Sequence, residues 1–542
     1  MAQQTITHKF YLLTAPLSDT WTEITSDVLL RDSRWEHGIK TAHPTTRIAG
    51  VGKLKMILRN DATSGTQYRY TPGHTNCLSG FGVKTKVKVV SYWRDYEKVV
   101  FVGWIPPNGI QQSSTPYLDL VSVDVYDWMY FALHNQVTLQ SIGIDKTLGE
   151  IGADLVGLVE AQPSRIDQFN YSETFPNTND TVRVNTTILG ELNKAVLSEM
   201  GFAYVKYEEG GALDILALEG RLTRDGLSMV DYYPLLDTEL DYLTTETPAY
   251  LTDESGNKLL IDERGTFAYL PDIIDYKVVH GAYYANRVSG KAYPREVGSS
   301  SVIFTLNEPI EVKAGETVEN LRIRYLVKEG YVSVSASNVS VTDYEMNSQE
   351  DGLGTDLTSD LTITSTLGSG DAQLKLENTG LSDGWVTVLQ ISGLPVYIGD
   401  PITQMVDVDT TEGLYYGKIE MMLDQKYQVD PTRTLDQITL LAVRYSTMTN
   451  TIEQVMFCVN TDEALASVYM FCDVGSKIPL KHTAFEIDEP YIIQGIDIWM
   501  QGNATFCRLY VKPSRYDTYS FWELGVSGSS ELGSTTMLGI EE

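Results

Sequence analysis

Along several stretches of this chain one set of alternate positions carries the apolar residues, most plainly Val83, Thr85, Val87 and Val89, and again Val121, Val123 and Val125. Successive side chains of an extended strand point to opposite faces, so a period of two sends one set to a core and the other to water. A helix would scatter the same residues around its axis. On this basis residues 6–13, 53–60, 83–92, 98–105 and 117–126 read as strands. Five strands within about 130 residues predict a small antiparallel sheet or barrel over residues 1–135. The connection from about 14 to 52, with His43-Pro44 and several polar residues, is long for a hairpin and is expected to be a surface excursion suited to carrying contacts.

With 542 residues the chain exceeds what one hydrophobic core supports, and three to five domains are expected. Tyr, Val, Ile and Thr dominate the patterned stretches, which predicts a mainly β, multidomain protein with a few helices. The period changes in a helical linking region, 136–205, where Leu148, Ile151, Leu155 and Leu158, then Ile188, Leu192, Val196 and Met200, fall at helical spacing. Asp145 is placed to cap the first helix and Gly201 to end the second in the left-handed conformation. Residues 206–299 read as a hairpin-rich domain that also begins a second barrel. In LTDESGNKLLIDERGTFAYL the SGN and ERG turns separate short strands, and Asp253 to Asn257 lack the ligand spacing and terminal Glu of an EF-hand.

Residues 300–400 contain SVIFTL, LRIRYL, YVSVSAS, LTITST, AQLKLEN and WVTVLQI, short strands at hairpin spacing that predict an inserted β-sandwich. The acidic, Gly-punctuated stretch Asp343 to Asp360 is expected to be a mobile loop. Residues 401–542 are expected to hold a helix, signalled by Asp430-Pro431 followed by Leu435, Ile438, Leu441 and Tyr445, and then the C-terminal part of the second barrel and a tail. An internal similarity ties the two ends together. Residues 82–126 run as GVKTKVKV, VFVGWI and YLDLVSVDVYDW, and residues 475–512 repeat that plan as GSKIPLKH, IIQGIDI and TFCRLYVKP. Gly103 and Gly495 take matching places in the middle strand, where a strand bulges or admits another backbone. The expectation is two related small β-barrels in one chain.

Chemistry is hard to find. The chain has 72 Asp and Glu against 41 Lys and Arg, a formal charge of −31, the wrong sign for gripping nucleic acid through phosphates. The lysines between Lys84 and Lys88 alternate with Thr and Val and read as the wet face of a strand. Cys77, Cys458, Cys472 and Cys507 show no CxxC pairing or matching histidine spacing, so free buried thiols are expected. His8, His37, His43, His74, His134, His280 and His482 are scattered, and no HExxH, GxSxG or P-loop pattern occurs. No metal, cofactor or catalytic residue is nominated. The start MAQQTITHKF has no basic segment followed by an apolar core, and no apolar run reaches spanning length. The expectation is assembly in a cytoplasm, with no stable membrane insertion and with reduced thiols.

Several of these stretches, in their order, resemble one family. IAGVGKLKMILRND, YTPG, VVFVGWIPP and LDLVSVDVYDW, between Arg47 and Asp127, resemble the N-terminal domain of bacteriophage tail hub and minor tail proteins, the baseplate hub family. ILGELNKAVLSEMGFAYVKYEEGGALDILALEGR is similar to that family's helix and glycine-rich hairpin. AYPRE, EPIEVKAGETV and KLENTGLSDGWVTVLQISGLPVY resemble its inserted β-domain, and DVGSKIPLKH, YIIQGIDIWM and FWELGVSGSSELGSTTMLGI its C-terminal part. The structural positions singled out are Gly103 and Trp104, Gly495, and Trp522.

The resemblance implies a non-enzymatic hub at the virion's tail tip, assembled in the host bacterial cytoplasm. It implies a homotrimer whose two barrels per subunit give a pseudo-sixfold ring with a channel for genome ejection. The implied partners are a hexameric distal tail or tail tube protein, tip or fibre proteins and the tape-measure protein, with DNA only in transit. Many relatives continue into receptor-binding or hydrolase modules where this chain stops, so no lytic or host-recognition role is expected of it.

Two rival readings belong to other classes. A receptor- or carbohydrate-binding tail component would expose aromatics on one sheet face, whereas Tyr325, Tyr331, Tyr344, Trp385 and Tyr397 sit mostly inside apolar runs suited to core packing. A peptidoglycan-degrading hub would need two facing carboxylates with one raised pKa, and among 72 carboxylates any nominated pair is uninformative.

Overall fold

The computed structural model describes residues 5–16, 19–41, 43–61, 67–115, 118–137, 142–168, 174–178, 186–209, 212–219, 273–325 and 331–513. The protein is mostly β. The N-terminal strands are β1 (Ile6–Ala15), β2 (Thr20–Glu23), β3 (Arg34–Gly38), β4 (Lys53–Arg59), β5 (Lys86–Trp93), β6 (Tyr96–Trp104), β7 (Ile110–Thr115) and β8 (Leu118–Tyr126), followed by helix α1 (Trp128–His134). The linking region holds β9 (Gly143–Thr147), α2 (Leu148–Val156), β10 (Arg165–Gln168), β11 (Thr174–Thr178), α3 (Ile188–Glu199), β12 (Phe202–Glu209) and β13 (Ala212–Glu219). The hairpins expected between 220 and 272, including Asp253 to Asn257, lie outside the described residues.

Strands resume with β14 (Ile273–His280), β15 (Arg287–Ala292), β16 (Arg295–Val297), β17 (Ser301–Thr305), β18 (Ile310–Val312), β19 (Thr317–Arg324), β20 (Tyr331–Ala336), β21 (Tyr344–Asn347), β22 (Leu361–Leu367), β23 (Asp371–Asn378) and β24 (Gly384–Ile398). The chain then forms β25 (Ile402–Asp407), α4 (Thr411–Tyr416), β26 (Glu420–Asp424), α5 (Pro431–Tyr445), β27 (Asn450–Cys458), α6 (Glu463–Phe471), β28 (Lys477–His482), β29 (Ile487–Gln501) and β30 (Ala504–Pro513).

The first and last described strands, β1 and β30, belong to one 13-stranded sheet, with main order β14-β27-β30-β29-β3-β4-β8-β6-β5-β1-β2, β28 on β29 and β7 on β8. This corrects the expectation of two separate barrels: among the described residues no sheet closes, and the two meanders are parts of a single open path. The reason is β3. Its residues pair with β29 on one side (Gly38 with Gly495, Trp35 with Ile498) and with β4 on the other (Trp35 with Leu54). A strand bonded on both edges joins two sheets that would otherwise each end there.

The expected surface excursion over 14–52 is corrected by the same observation. It holds β2 and β3, Trp35 and Ile39 are buried, and Ala49 and Ala203 are linked by a backbone hydrogen bond of 2.8 Å. The sheet also curls over. His8 on β1 reaches Thr505 on β30 at 2.8 Å, although six strands separate β1 from β30 along the path. One large core lies inside, with Phe10, Trp35, Leu54, Phe101, Val123, Phe457 and Ile498 among its members.

Helix α2 packs against α3 and against strands β10 and β13 of the small sheet β10-β13-β12. The cap of α2 is Thr147, in a reciprocal capping box with Glu150, and not Asp145, which has φ +49°. A hydroxyl one residue before the first turn reaches the third helical N–H, which Asp145 is too far back to do. The left-handed residue ending α3 is Met200, φ 62°, rather than Gly201. Gly201 serves close approach, since a Cβ there would sit 2.4 Å from the Glu219 carbonyl oxygen. Helix α5 starts as its sequence signals, with Asp430 accepting the Thr432 N–H at 2.8 Å and Pro431 in the first turn. Its Ile438, Leu441 and Tyr445 pack on the sheet β25-β15-β26.

Between 301 and 398 the strands form two further sheets, one gathered around the long strand β24 and one ordered β19-β23-β22. They share a core that includes Ile303, Ile323, Met346, Leu361, Leu374, Val386 and Ile391. The acidic stretch Asp343 to Asp360 is not the mobile loop its composition suggests. Tyr344 and Met346 on β21 are core residues, and the turn beyond is fastened by Thr355 N–H to Ser348 Oγ (2.8 Å) and Leu353 N–H to Asp351 Oδ1 (3.0 Å). Asp and Ser satisfy local backbone donors here, which composition alone scores as solvated charge.

Candidate functional site

Where the curled sheet brings β1 and β30 together, polar side chains line the buried contact. His8 lies between Ser91 Oγ (2.9 Å) and Thr505 Oγ1 (2.8 Å), and Ser91 Oγ also meets the Tyr469 hydroxyl at 2.7 Å. Asn460 Oδ1 accepts the Thr505 N–H at 2.7 Å. Lys98 on β6 donates to the carbonyls of Tyr469 (3.1 Å) and Cys472 (2.7 Å), satisfying acceptors that the end of α6 leaves open. Arg34 on β3 forks onto Asp497 on β29 at 2.9 and 2.8 Å, and Asp497 is fully buried.

His37 Nε2 stands 3.1 Å from Asp473 Oδ1. Burial pushes the Asp473 carboxyl up, but the bond from His37, the charge of Lys98 and the Val474 N–H together outweigh it and hold the group at about 2. Burial alone brings His8 down to about 4, so it is neutral at ordinary pH. A small cavity opens among His37, Lys98, Cys472, Asp473, Ile496 and Cys507.

A second polar knot joins β8 to the linking region. Asp127 caps α1, accepting the Met129 N–H at 3.1 Å. Burial lifts its carboxyl to about 7 against the Gly52 and Met129 N–H groups, and nearby Asp214 adds to the rise. Asp214 itself receives Lys86 Nζ at 2.6 Å.

These groups bond to one another across the contact. Ser91 and His8 are spaced as a nucleophile and base, yet Ser91 is fully buried and the histidine's other nitrogen meets a hydroxyl instead of an orienting carboxylate. Among the described residues no three His, Cys, Asp or Glu gather as a metal site, and no helix is long and apolar enough to cross a membrane.

Gly103 and Gly495 are not brought together, but each sits against a neighbouring strand's backbone. A Cβ at Gly103 would lie 2.5 Å from the Tyr126 carbonyl oxygen, and one at Gly495 would lie 2.8 Å from that of Ile39. The neighbour differs: β8 is the third strand of its own meander, whereas Ile39 follows β3. Trp104 is half-buried, edge-on to Phe131 and 4.6 Å beneath Lys86 Nζ. Trp522 lies outside the described residues. The lysine face read as wet is therefore partly enclosed, since Lys86 pairs with buried Asp214 and Lys88 stands 4.4 Å over Trp21. The cysteines are free, Cys458, Cys472 and Cys507 buried and Cys77 half-buried.

Sequence reasoning missed the buried polar contact. His8 and Thr505 are 497 residues apart and Arg34 and Asp497 are 463 apart, so no local pattern joins them.

No protein-family model matches the chain, and no curated protein sequence matches it. Among solved structures the chain is similar to the prophage MuSo2 43 kDa tail protein from Shewanella oneidensis, at 8% identity, with 94% of this chain and 99% of that one covered and a TM-score of 0.45. It is similar to the tail protein from Neisseria meningitidis MC58 at 7% identity, 94% and 99% coverage and a TM-score of 0.43. The prophage tail protein gp18 from Listeria monocytogenes EGD-e aligns at 9% identity, 93% and 94% coverage and a TM-score of 0.37.

Proposed function

We propose that the chain is a structural hub of a phage-type tail, closing the tail tube at its tip and joining it to tip or fibre proteins. The observation that carries the reading is where the resembling motifs fall. KLKMILR, VVFVGW, LDLVSVDVY and YIIQGIDIWM become β4, β6, β8 and β29 of one sheet, so residues far apart in sequence build a single body. The two meanders, β5-β6-β8 and β28-β29-β30, are read as copies of one ancestral unit, each with a glycine that admits a neighbouring backbone.

Three subunits with two such units each would offer six similar surfaces to a hexameric tube protein. In this reading the protein is a homotrimer without enzymatic activity, with the tape-measure protein ending in its lumen and DNA passing through. Burial of Tyr325 and Tyr344 in the core of the 301–398 sheets removes two of the aromatics that a glycan-binding face would expose.

Light scattering of the purified chain, alone and with its neighbouring tail protein, tests the proposal. Three times the chain mass, and a complex of three chains with six of the tube protein, are expected. A monomer that forms no complex overturns it. Zymography on cell-wall material is expected to be blank.

A further inference from the structure

Helix α4 buries none of its large apolar residues. Leu414, Tyr415 and Tyr416 are 90%, 84% and 64% exposed, three consecutive residues of kinds that folding ordinarily removes from water. Looseness does not explain this, because the segment is held from beneath. The Thr410 hydroxyl caps the helix by accepting the Gly413 N–H at 2.9 Å and also meets the Tyr284 hydroxyl. Buried Asn286 donates to the Gly417 carbonyl at 3.0 Å and accepts the Ile419 N–H at 2.7 Å. The two tyrosine rings are edge to face at 4.9 Å. A six-residue helix is thus fixed in place with its apolar side chains in water. The adjoining sheet β25-β15-β26 carries three more exposed apolar residues, Ile402, Met405 and Met422.

We infer that α4 is a docking knob for another protein whose receiving pocket is apolar at its floor and edged with lysine or arginine. Rigid aromatic anchors lose little entropy on binding, which is why tyrosine concentrates in such centres. The local charge selects the partner. Between 407 and 420 the chain carries Asp407, Asp409, Glu412 and Glu420, against Lys418 from the same stretch and Arg287 from β15. Lys418 is spread between Asp407 and Asp409 at 3.6 Å each, and Asp407 is also forked by Arg287 at 2.7 and 2.8 Å. A second copy of the same knob would set these carboxylates against their own kind, and an anionic membrane would repel them. A basic-edged pocket meets both features. This inference stands apart from the tail reading, since it uses only the local surface.

The test uses the full chain and three fluorescent helical peptides: one of leucine and lysine, one with serine replacing leucine, and one with glutamate replacing lysine. The Leu/Lys peptide is expected to bind at least about tenfold more tightly than either of the others. Hydrogen exchange is expected to slow over residues 411–417 in its presence. Leu414→Ser with Tyr415→Ser and Tyr416→Ser, all at exposed positions, is expected to weaken it about tenfold with an unchanged melting temperature. Asp409→Lys with Glu412→Lys is expected to weaken it comparably while leaving the apolar surface intact. Equal binding by the serine variant, protection confined to other segments, self-association lost in that variant, or preference for anionic vesicles over the peptide would each overturn the inference.

Discussion

His8 and Asp127 are buried titratable groups with opposite consequences for stability. Burial lowers His8 to about 4, from an ordinary value of 6.5. The unfolded chain therefore binds the extra proton between those values, and this contribution, complete above 6.5, is lost as pH falls toward 4. Asp127 is raised from 3.8 to about 7. Here the folded chain binds the extra proton, so its contribution is complete below 3.8 and is lost as pH rises to 7. The two oppose each other across roughly pH 4 to 6.5. Melting temperatures against pH separate them: Asp127→Asn, which keeps a capping oxygen, is expected to make the loss on acidification steeper than in the parent protein, and His8→Gln shallower. Parallel curves for all three proteins would show that neither group couples to folding as its surroundings demand. Neither group could be recognised in the sequence. His8 sits on an alternating strand like any inward residue, and its burial depends on Ser91, Thr505 and Tyr469, contributed by three other elements.

At the scale of elements, strand and helix identities were largely written locally. The alternation of 83–92 and 117–126 became β5 and β8, and Asp430-Pro431 opened α5. The caps were less legible, because Asp145 and Thr147 are both good capping types and only the geometry selects the one within reach of Glu150 N–H, at 3.2 Å. Thr147→Ala is expected to lower stability by about 1 kcal/mol, the usual cost of a lost cap, and Asp145→Ala by much less, as read by urea denaturation. The middle-strand glycines make a stronger claim. Gly103→Val would drive a side chain into the Tyr126 carbonyl and Gly495→Val one into that of Ile39. Each is expected to cost a few kcal/mol, whereas Gly82→Ala, with open space where its Cβ would lie, is expected to be nearly silent. A melting temperature unchanged by either valine would remove the close-approach account and with it the main physical link between the two meanders.

For the whole molecule, the hub reading makes a claim about charge. DNA carries one negative charge per roughly 1.7 Å of duplex axis, and a basic channel wall would hold it. The formal charge of −31 suits an acidic or neutral lining that lets the polymer slide, with repulsion screened over about 8 Å at physiological salt. A structure of the trimer is expected to place more Asp and Glu than Lys and Arg on side chains facing the axis, and a net positive axial surface would refute the sliding account. The sequence by itself determined the β class, most strands, the start of α5 and the absence of any recognisable catalytic motif, because these follow from side-chain periodicity and spacing over a few residues. Only the tertiary structure decided that two expected barrels are one curled sheet, that residues 14–52 carry the strand joining its halves, and that His8 and Asp497 are buried at the contact with Lys98 half-buried beside them. Each of those outcomes depends on hydrogen bonds between residues hundreds of positions apart. Period-two alternation tells a strand which face to bury but not which neighbour will pair with its edges.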